Sequence, residues 1–595
     1  MDGQRVVLSG WLGSVRARSS ELTFAVVSDV SGEIQVIHQQ QSSSDTKADL
    51  RSIPIESVVR IEGIVRKRPS DAVKYSNRPT DAIEVELEKV ECINAVNATL
   101  PFVPSRRKQK LPSEETRLEH RYLDLRRPEM QQRLLLRAKA MRSVRQYLDD
   151  NGFTEIETPI LSKSTPEGAR EFLVPTRRFT ESNDDGNSAD DGEVQSIRMN
   201  NFYALAQSPQ QFKQLLMAGG MDRYYQLAKC FRDEDKRADR QPEFTQIDLE
   251  MSFVTMSDVM VTVEGLVRHI WNDVQAFTKQ PNAQSVMDTL PSLPDVIPRM
   301  TYSDAMARYG SDKPDTRFDL EIRQLNLPST ISSEHFVADV IRIPQETSKW
   351  TTNIRNGNDS SGISQLSHET VNELISTARK STNMSENEAV FISVRDTRQV
   401  VGATAAGRLR LLVANELEKA GLLTVDKSRM DMLWVHDFPL FTNEVDLSNP
   451  WHSSISATHH PFTAPFPEDA HLMNTDPLKV RGQHYDLVLN GMEVGGGSIR
   501  IHDAQMQLQV FSDILRLEPD IVQRFDHMIQ AFKHGCPPHG GIALGFDRLV
   551  SILAGGTASI RDVIAFPKAA DGVDLLMKSP STVTMEYLKE YRLVK

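Results

Sequence analysis

The feature that most constrains the fold of this chain is a pair of short apolar segments joined by a charged loop. Residues 224–231 and 244–251 have the length and the aromatic and aliphatic content of β-strands. Strand side chains alternate with a period of two, so one face of the hairpin collects every second residue. The residues predicted to share that face are Arg232, Glu234, Phe244, Gln246 and Asp248. Such a face offers a cation for phosphate, an aromatic ring for a base, and carboxylates for an ammonium group or a metal ion.

The composition predicts a large, soluble, multidomain protein. At 595 residues the chain is too long for one hydrophobic core, and 39% hydrophobic with 25% charged residues is typical of globular domains. We find no run of about 18 apolar residues and expect no membrane span. The three cysteines, Cys92, Cys230 and Cys536, form no CxxC pair, which favours a reducing compartment over a disulfide framework or a zinc site. The net charge of −12 disfavours indiscriminate nucleic-acid binding, although local basic patches could still contact a shaped RNA.

Residues 1–97 predict a small β-barrel of the OB type. The strand segments are residues 6–8, 24–27, 34–37, 57–65 and 83–92. Five short strands with a central hairpin fit this barrel. The residues expected where such a barrel binds single-stranded nucleic acid are Arg16, Arg18, Phe24 and Gln35. The alternative is structural, with Phe24 in the core and the arginines merely solvated.

The next segments are a connector, a helix and two polar loops. Residues 98–127 are interpreted as a hinge whose basic run at 106–110 could touch phosphates. Residues 129–151 predict a helix, and residues 153–159 a strand closed by Pro159. The predicted apolar stripe of the helix is Leu134, Ala138, Met141, Val144 and Leu148. Residues 164–170 are of the type used for a mobile lid, and residues 181–196 predict a disordered acidic loop. Ser208 is predicted to cap a helix that directs Gln210 and Lys213 toward the strand ends.

The C-terminal half supplies two further candidate sites. Residues 301–425 predict an inserted α+β module with a helix over 402–422. Residues 485–494 predict a strand pair on which Asp486 and Glu493 could both face a metal ion. Residues 539–550 predict a glycine-rich strand that enters a helix with Arg548 in its first turn, which suits a phosphate. Each piece alone has a structural alternative, either packing or a surface ion pair.

Three of these segments, taken in order, resemble a known set of motifs. The helix and strand ending at Pro159, then Arg232-Asp233-Glu234, then Gly545-Phe546-Asp547-Arg548 resemble motifs 1, 2 and 3 of the class II aminoacyl-tRNA synthetases. The resemblance extends to the aspartyl-tRNA synthetases of bacterial type. It is carried by residues 121–126, 165–170, 207–213, 231–248, 309–315, 459–465, 490–502, 540–549 and 560–568.

The resemblance implies an α+β multidomain architecture. An OB-fold anticodon-binding barrel is expected at 1–97 and a hinge at 98–127. A catalytic antiparallel sheet flanked by helices is expected at 128–300 and again at 426–595, where a C-terminal extension follows. The inserted α+β domain at 301–425 interrupts it.

The resemblance also implies a chemistry. The family joins an amino acid to tRNA through an aminoacyl-adenylate made from ATP. By resemblance, Arg232 holds the α-phosphate and the substrate carboxylate, Arg548 the γ-phosphate, and Phe244 stacks on adenine. Glu234, Gln241, Glu493 and Gly545 are the further expected ATP contacts. Asp486 and Glu493 would hold Mg²⁺ with the phosphates, and Arg232, Arg548 and Glu493 are the expected catalytic residues.

L-Aspartate is the amino acid that the resemblance implies. A side-chain carboxylate calls for a planar bidentate cation, and Arg500 supplies one, with Lys213 as a second charge. Asp248 is expected to take the substrate ammonium group, while Glu167 and Gln210 close over the substrate. His459 is expected nearby on its loop, with a purely structural role as the alternative.

The expected partners are tRNA(Asp), ATP and a second copy of the chain in a homodimer. In the barrel, residues 16–22 depart from the usual hairpin of the family, although Phe24, Asp29 and Gln35 keep their spacing. The poorly matched insert favours an enzyme of the mitochondrial matrix, with its transit peptide removed, over a bacterial cytoplasmic enzyme. Two other functions are open at this point. One is a relaxed enzyme that also charges tRNA(Asn), and the other is a catalytically silent tRNA-binding paralogue.

Overall fold

The computed structural model describes most of the chain. The described residues are 2–39, 50–69, 73, 79–104, 110–164, 170–181, 198–233, 239–280, 283, 290–326, 336–343, 376–377, 389–396, 402–426, 429–445, 453–556 and 559–594. The predicted site residues Glu167 and Glu234 lie outside these ranges. So do most of the predicted basic run at 106–110 and of the acidic loop at 181–196.

The N-terminal domain is a closed five-stranded barrel. Its strands are β1 (Arg5–Ala17), β2 (Leu22–Asp29), β3 (Gly32–Gln39), β4 (Val58–Lys67) and β5 (Ile83–Asn94), in the order β1-β2-β3-β5-β4. Alternation buries Ala25 and Val27 of β2 together with Val36 of β3. A Cβ atom on Gly63 of β4 would lie 2.2 Å from the Glu86 carbonyl oxygen, so only glycine lets the two strands approach this closely. The predicted OB-type barrel is confirmed.

The connector after the barrel is fastened to the rest of the protein. Its helices are α1 (Glu114–Glu119) and α2 (Arg121–Asp124). Arg121 is 2% exposed and donates hydrogen bonds to the carbonyl oxygens of Arg561, Ile564 and Ala565. Arg126 lies 3.6 Å from Glu56 and 5.2 Å from the centre of the Trp11 ring in the barrel. Arg121 and Arg126 are therefore structural partners of the connector, and phosphate contact by the run at 106–110 stays a prediction.

Helix α3 (Pro128–Asp150) is present as predicted, but its predicted apolar stripe is wrong in part. The apolar residues that it buries are Met130, Leu136, Ala140, Val144 and Leu148. Ala138 is exposed, while Leu134 and Met141 are half-buried. The error arose because several apolar rows share the helix, and spacing alone does not choose among rows that differ by one or two positions.

Sixteen further strands form the rest of the described β structure. They are β6 (Thr154–Glu155), β7 (Leu161–Ser162), β8 (Leu173–Glu181), β9 (Arg198–Leu205), β10 (Arg223–Phe231), β11 (Glu243–Ser252), β12 (Arg299–Thr301), β13 (Arg323–Asn326), β14 (Phe336–Ile343), β15 (Ala389–Asp396), β16 (Met432–His436), β17 (Phe441–Val445), β18 (Ser453–Ala457), β19 (His484–Leu489), β20 (Met492–Ile499) and β21 (His539–Gly545).

The central sheet has eight strands in the order β12-β16-β19-β20-β21-β11-β10-β6. Its six inner strands are antiparallel, whereas the edge pairs β12–β16 and β6–β10 are parallel. The strand predicted over residues 153–159 is reduced to the two residues of β6, since only Thr154 and Glu155 pair with β10. The predicted antiparallel catalytic sheet is otherwise confirmed.

Helices pack on this sheet and create the main core. Beyond α3, the described helices are α4 (Gln210–Ala218), α5 (Met256–Thr278), α6 (Tyr302–Tyr309), α7 (Ala405–Lys419), α8 (Ala504–Gln509), α9 (Pro519–Gln523), α10 (Asp526–Lys533), α11 (Phe546–Leu553) and α12 (Met585–Glu590). Of these, α5 and α11 contribute buried apolar residues to the main core, whereas α7 packs in the inserted segment and α12 buries none. Helix α5 starts with a capping box between Thr255 and Asp258 and buries Val263, Leu266 and Ile270 in the core beneath the sheet. Among the described helices, none has the length and apolar character needed to cross a bilayer.

The inserted segment has its own small core. The sheet β13-β14-β15 packs near α7, which lies within the helix predicted over residues 402–422. Arg410 is 1% exposed and donates to the carbonyl oxygens of Asp315, Phe318 and Leu320. Its guanidinium also lies 4.1 Å from the centre of the Phe318 ring. Arg410 thus provides hydrogen-bond donors for the carbonyl oxygens of residues 315–320, which form neither helix nor strand.

Candidate active site

A cleft of about 1010 Å³ lies over the inner strands of the central sheet and is walled by α4. Nine of the predicted site residues line it, namely Gln210, Lys213, Arg232, Gln246, Asp248, His459, Asp486, Glu493 and Arg500. They come from segments more than 200 residues apart in sequence, and the sheet order brings them together. This cleft is the candidate active site.

The register of β10 and β11 gives the predicted common face. Cys230 pairs with Phe244, Ala228 with Gln246, and Gln226 with Asp248. Just past the end of β10, the backbone N–H of Arg232 donates to the Pro242 carbonyl oxygen at 2.9 Å. The Arg232 guanidinium carbon lies 5.3 Å from the centre of the Phe244 ring. A cation and an aromatic ring therefore stand together at one end of the face, as predicted from alternation.

The other end of the face holds four buried charges. Lys213 Nζ is 2.9 Å from Asp248 Oδ1 and 3.1 Å from Glu250 Oε2. Arg500 Nε is 3.0 Å from Glu250 Oε1. All four side chains are at most 2% exposed. Glu250 was not among the predicted site residues, although it follows Asp248 by two residues and alternation places both on one face.

The two carboxylates of this quartet differ in environment. Burial alone would raise the pKa of Glu250, but Arg500 and Lys213 together lower it to about 2. Burial raises the pKa of Asp248, and Lys213 opposes that shift. Within the described part of the chain, neither Asp248 oxygen receives a well-directed hydrogen bond. Glu250 thus holds the two cations in place, while Asp248 keeps acceptor capacity for a further cation.

His460 extends the network around Arg500. Arg500 Nη1 donates to His460 Nε2 at 2.5 Å and to Ser498 Oγ at 2.8 Å. Burial and the Arg500 charge hold the pKa of His460 well below its usual range, so the ring is neutral and accepts from the guanidinium. His459 is the predicted site residue and His460 is not, because a pair of adjacent histidines in a loop gives no signal of which one contacts Arg500.

His459 lies against a second histidine. Its ring stacks on His484 with centroids 3.4 Å apart, and His484 Nε2 is 2.8 Å from Asp486 Oδ1. Burial lowers the pKa of His484 to about 3. His484 was not predicted, although its position two residues before Asp486 on β19 gives both the same face.

The carboxylates predicted to hold a metal ion converge beside Gly496. A Cβ atom on Gly496 would lie 2.5 Å from Asp486 Oδ1 and 3.7 Å from Glu493 Oε1. Asp486 Oδ2 is buried and has no hydrogen-bond partner in the described part of the chain. Lys313 Nζ lies 2.8 Å from Glu493 Oε2. Two carboxylates with unused oxygens fit a hard, oxygen-seeking cation such as Mg²⁺, and Lys313 supplies positive charge at the same place.

Arg548 lies in the first turn of α11, as predicted. It donates to the Glu493 carbonyl oxygen, and Nη2 lies 3.2 Å from Asp239 Oδ2. Gly545 is the N-cap residue of α11. The neighbouring Asp547 is 2.6 Å from Arg137 on α3 and accepts from the backbone N–H of Thr245 at 2.8 Å. Arg548 is therefore held against Glu493, which lines the cleft, although Arg548 is not itself among the described residues that line it.

Two predicted residues are placed differently from expectation. The amide of Gln241 accepts from the Lys568 backbone N–H at 2.8 Å and donates to the Lys568 carbonyl oxygen at 3.1 Å. Its contact with a nucleotide stays a prediction, and the observed role is to clamp the C-terminal segment. Ser208 does not cap α4: the cap is Pro209, whose carbonyl oxygen accepts the first helical bond from Lys213.

The predicted nucleic-acid residues of the barrel share its outer surface. Arg16 pairs directly with Phe24, Phe24 with Ile37, and Val26 with Gln35. Phe24 is half-buried and lies on the opposite face from the buried Ala25, which disfavours its being a core residue. Arg16 and Arg18 are exposed. Two residues that were not predicted join this surface, since Gln35 donates to Glu84 at 2.8 Å and accepts from Arg68.

Replacement of Phe24 by alanine is expected to weaken tRNA use and leave the cleft untouched. Loss of one base-stacking ring should raise the KM for tRNA by about 10- to 100-fold. Amino-acid activation measured without tRNA should stay within about twofold, since none of the described barrel residues lines the cleft. Val7→Ala, at an exposed barrel residue on β1, is the matched control and should change neither quantity. An unchanged tRNA KM in the Phe24 variant would contradict a stacking role.

Thiol labelling tests the burial of the sheet. Burial raises the pKa of Cys230 to about 12 and that of Cys536 to about 11, so neither forms much thiolate at pH 8. Cys92 is exposed. Iodoacetamide at pH 8 should therefore label Cys92 first, as followed by peptide mass spectrometry. Fast labelling of Cys230 in the native protein would show that β10 is more open than described.

Comparison with known proteins agrees with this geometry. The family profile "tRNA synthetases class II (D, K and N)" matches residues 113–570, and the profile of the OB-fold nucleic acid binding domain matches residues 6–93. The chain belongs to the class II tRNA synthetases. The OB-fold profile thus covers the barrel, and the synthetase profile covers the residues that line the cleft.

Curated relatives narrow the membership to the aspartate–tRNA ligase family. The chain is 39% identical to an aspartate–tRNA(Asp/Asn) ligase of Opitutus terrae, over 99% of this chain and 96% of the relative. It is 38% identical to the mitochondrial aspartate–tRNA ligase of Dictyostelium discoideum, over 100% of this chain and 87% of the relative. It is 40% identical to the mitochondrial enzyme of Homo sapiens, over 99% of this chain and 88% of the relative. The resemblance to bacterial and mitochondrial members of this family is confirmed.

Solved structures of synthetases share the fold. Asparaginyl-tRNA synthetase of Pyrococcus horikoshii, with asparaginyl-adenylate, superposes with a TM-score of 0.58 at 19% identity, covering 95% of each chain. Aspartyl-tRNA synthetase of Entamoeba histolytica gives 0.56 at 17% identity, covering 95% of this chain and 89% of that one. These likenesses support the barrel and the central sheet.

Proposed function

We propose that this chain attaches L-aspartate to tRNA(Asp) in an ATP-dependent reaction through an aspartyl-adenylate. The observation that carries the proposal is the buried quartet of Lys213, Asp248, Glu250 and Arg500 at one end of the cleft. The quartet presents an anion with unused acceptors beside two cations that share one structural carboxylate. Aspartate, with one ammonium group and a side-chain carboxylate, matches that pattern of charge.

The quartet orients aspartate and discriminates against neutral analogues. Asp248 accepts the ammonium group, and Arg500 with Lys213 binds the side-chain carboxylate in planar, charge-assisted contacts. An asparagine side chain would place an amide N–H₂ against one of these cations and leave buried donors without acceptors. A site built on such pairing rejects the wrong analogue strongly.

The other end of the cleft suits ATP. Phe244 offers a face for adenine, Arg232 a cation for the α-phosphate, and Arg548 a cation for the γ-phosphate. Asp486 and Glu493 would hold Mg²⁺, which would neutralise phosphate charge during the displacement. An oxygen of the aspartate α-carboxylate attacks the α-phosphorus, the bond to the bridging oxygen breaks, and pyrophosphate leaves. The protein supplies position and positive charge, which suffices for phosphoryl chemistry.

In the second half-reaction the aminoacyl group is transferred in the cleft to the tRNA that the barrel binds. The 3′-hydroxyl of the terminal adenosine attacks the activated carbonyl, and AMP leaves. Phe24, Gln35 and the exposed arginines Arg16 and Arg18 would contact the anticodon.

Mitochondrial relatives support a mitochondrial location and bacterial relatives a bacterial one, and of these we propose the mitochondrial matrix. We also propose a homodimer, which sedimentation can test.

One experiment tests the proposal directly. Aspartate-dependent ATP–pyrophosphate exchange should occur with Mg²⁺ and without tRNA. Absence of exchange at saturating aspartate would overturn the proposal and favour a silent tRNA-binding protein. Charging of tRNA(Asp) and tRNA(Asn) transcripts then decides between strict and relaxed specificity, a question raised by the Asp/Asn name of the Opitutus terrae relative.

A further inference from the structure

A line of hydrogen bonds leads from the cleft into the protein behind α4. Gln210 on the cleft wall donates from Nε2 to Gln214 Oε1 at 3.2 Å. Gln214 Nε2 lies 3.1 Å from His539 Nε2, and His539 Nδ1 lies 2.8 Å from the Pro537 carbonyl oxygen. Gln214 and His539 are fully buried, at 0% exposure. This line consumes the polar groups of both buried side chains.

The Pro537 carbonyl oxygen at the end of the line decides which atom donates and which accepts in every bond. A carbonyl oxygen only accepts, so His539 Nδ1 must carry the proton. In a neutral ring Nε2 then accepts, and the Gln214 atom facing it must be the amide nitrogen. The Gln214 oxygen therefore faces Gln210, and the Gln210 atom facing it must be its own amide nitrogen. By elimination, the Gln210 oxygen is the atom directed away from this line.

These bond directions hold for a neutral His539, and the surroundings of the ring favour that state. Burial lowers the pKa of His539, and the charges that act on it are of both signs, with Glu250 opposing Arg500 and His502. A second proton on the ring would make Nε2 a donor, and the Gln214 amide would have to flip to present its oxygen. The buried ring is thus a fixed reference for the amides that follow it.

We propose that Gln214 and His539 are positioning residues that hold the Gln210 amide with its oxygen, and not its nitrogen, toward the aspartate ammonium group. This rests on the proposed function, which places the ammonium group at the Asp248 end of the same cleft. An amide oxygen accepts from an ammonium group, whereas an amide nitrogen would set donor against donor. The pair thereby contributes to amino-acid affinity without touching the substrate.

The test is a double-mutant cycle in the full chain, read by ATP–pyrophosphate exchange. Gln214→Met removes both bonds at similar volume and should raise the aspartate KM about 10-fold, with the ATP KM within twofold. Gln210→Met should raise it at least as much. The double variant should be no worse than Gln210→Met alone, because Gln214 acts only through Gln210. Gln275→Met, at an α5 glutamine that donates to the Leu290 carbonyl oxygen, is the control and should leave the aspartate KM unchanged.

Two results would overturn the positioning role. One is additive losses in the double variant, which would mean that Gln214 acts independently of Gln210. The other is an equal rise in the ATP KM, which would indicate general damage to the cleft. If Gln214→Met does not fold, His539→Phe in the same cycle answers the question, since it removes the acceptor and keeps a ring. Exchange by the unaltered protein is measured first, so failure of the proposed function is seen separately.

Discussion

Replacement of Arg500 by leucine is expected to reduce aspartate-dependent ATP–pyrophosphate exchange by about 1,000-fold or more. The variant loses the planar cation that is proposed to bind the substrate side chain. It also leaves Glu250, which is fully buried, with Lys213 as its one remaining cation in the quartet. ATP binding, measured by calorimetry, should change by less than about fivefold, because Arg500 contacts Glu250 near one end of β11 and Phe244 lies near the other end.

A lysine at the same position separates charge from shape. Arg500→Lys keeps the positive charge but loses the bidentate fork and the bonds to His460 and Ser498, so a loss of about 10- to 100-fold is expected. Thermal melting checks that each variant is folded. Equal losses of aspartate use and ATP binding in the leucine variant would show that Arg500 has been given the wrong role.

Replacement of Arg232 by alanine is expected to lower kcat for the exchange reaction by about 100- to 1,000-fold. In the proposed reaction Arg232 is the cation at the α-phosphate, where charge develops as the bond to pyrophosphate breaks. The protection that aspartate gives against thermal unfolding should persist, since Arg232 stands beside Phe244, at the other end of the strand face from the buried quartet. The rate is measured at saturating ATP so that weaker binding does not enter it.

Arg170 provides a matched control for Arg232. It also lines the cleft and carries the same charge, but its side chain is 81% exposed and pairs with Asp233 at 3.8 Å. A solvated ion pair of this kind contributes little, so Arg170→Ala should cost less than about fivefold in kcat. Similar losses in both variants would indicate that general positive charge, and not the placement of Arg232 beside Phe244, supports the reaction.

Much of the site could be predicted because side-chain alternation along single strands decides which residues share a face. The period of two along β10 and β11 put Arg232, Phe244 and Asp248 on one face, and the observed register agrees. The same alternation also predicts that Glu250 shares a face with Asp248, and that His484 shares a face with Asp486. Alternation predicts a shared face but not which charges neutralise one another, since that depends on α4 and β20 arriving from distant parts of the chain.

The remaining differences come from tertiary contacts. Arg121 belongs to a basic connector by sequence, yet it is buried against carbonyl oxygens about 440 residues away. The choice of His460 over His459 as the Arg500 partner depends on how one loop folds back on β20. The helical stripe of α3 was misplaced because Leu134 and Leu136 are equally apolar, and only the packing of α5 selects between them. Long-range partners of this kind leave no mark on local sequence.

The order of strands in the central sheet also governs how the protein can be made. Strand β21 ends at residue 545 and lies between β20 and β11. While the ribosome is still translating the middle of the gene, β11 presents a free hydrogen-bonding edge next to an apolar face. Free strand edges of this kind recruit other chains. Nascent chains stalled before residue 539 should therefore be bound by chaperones and sensitive to protease, and both properties should vanish once β21 is released.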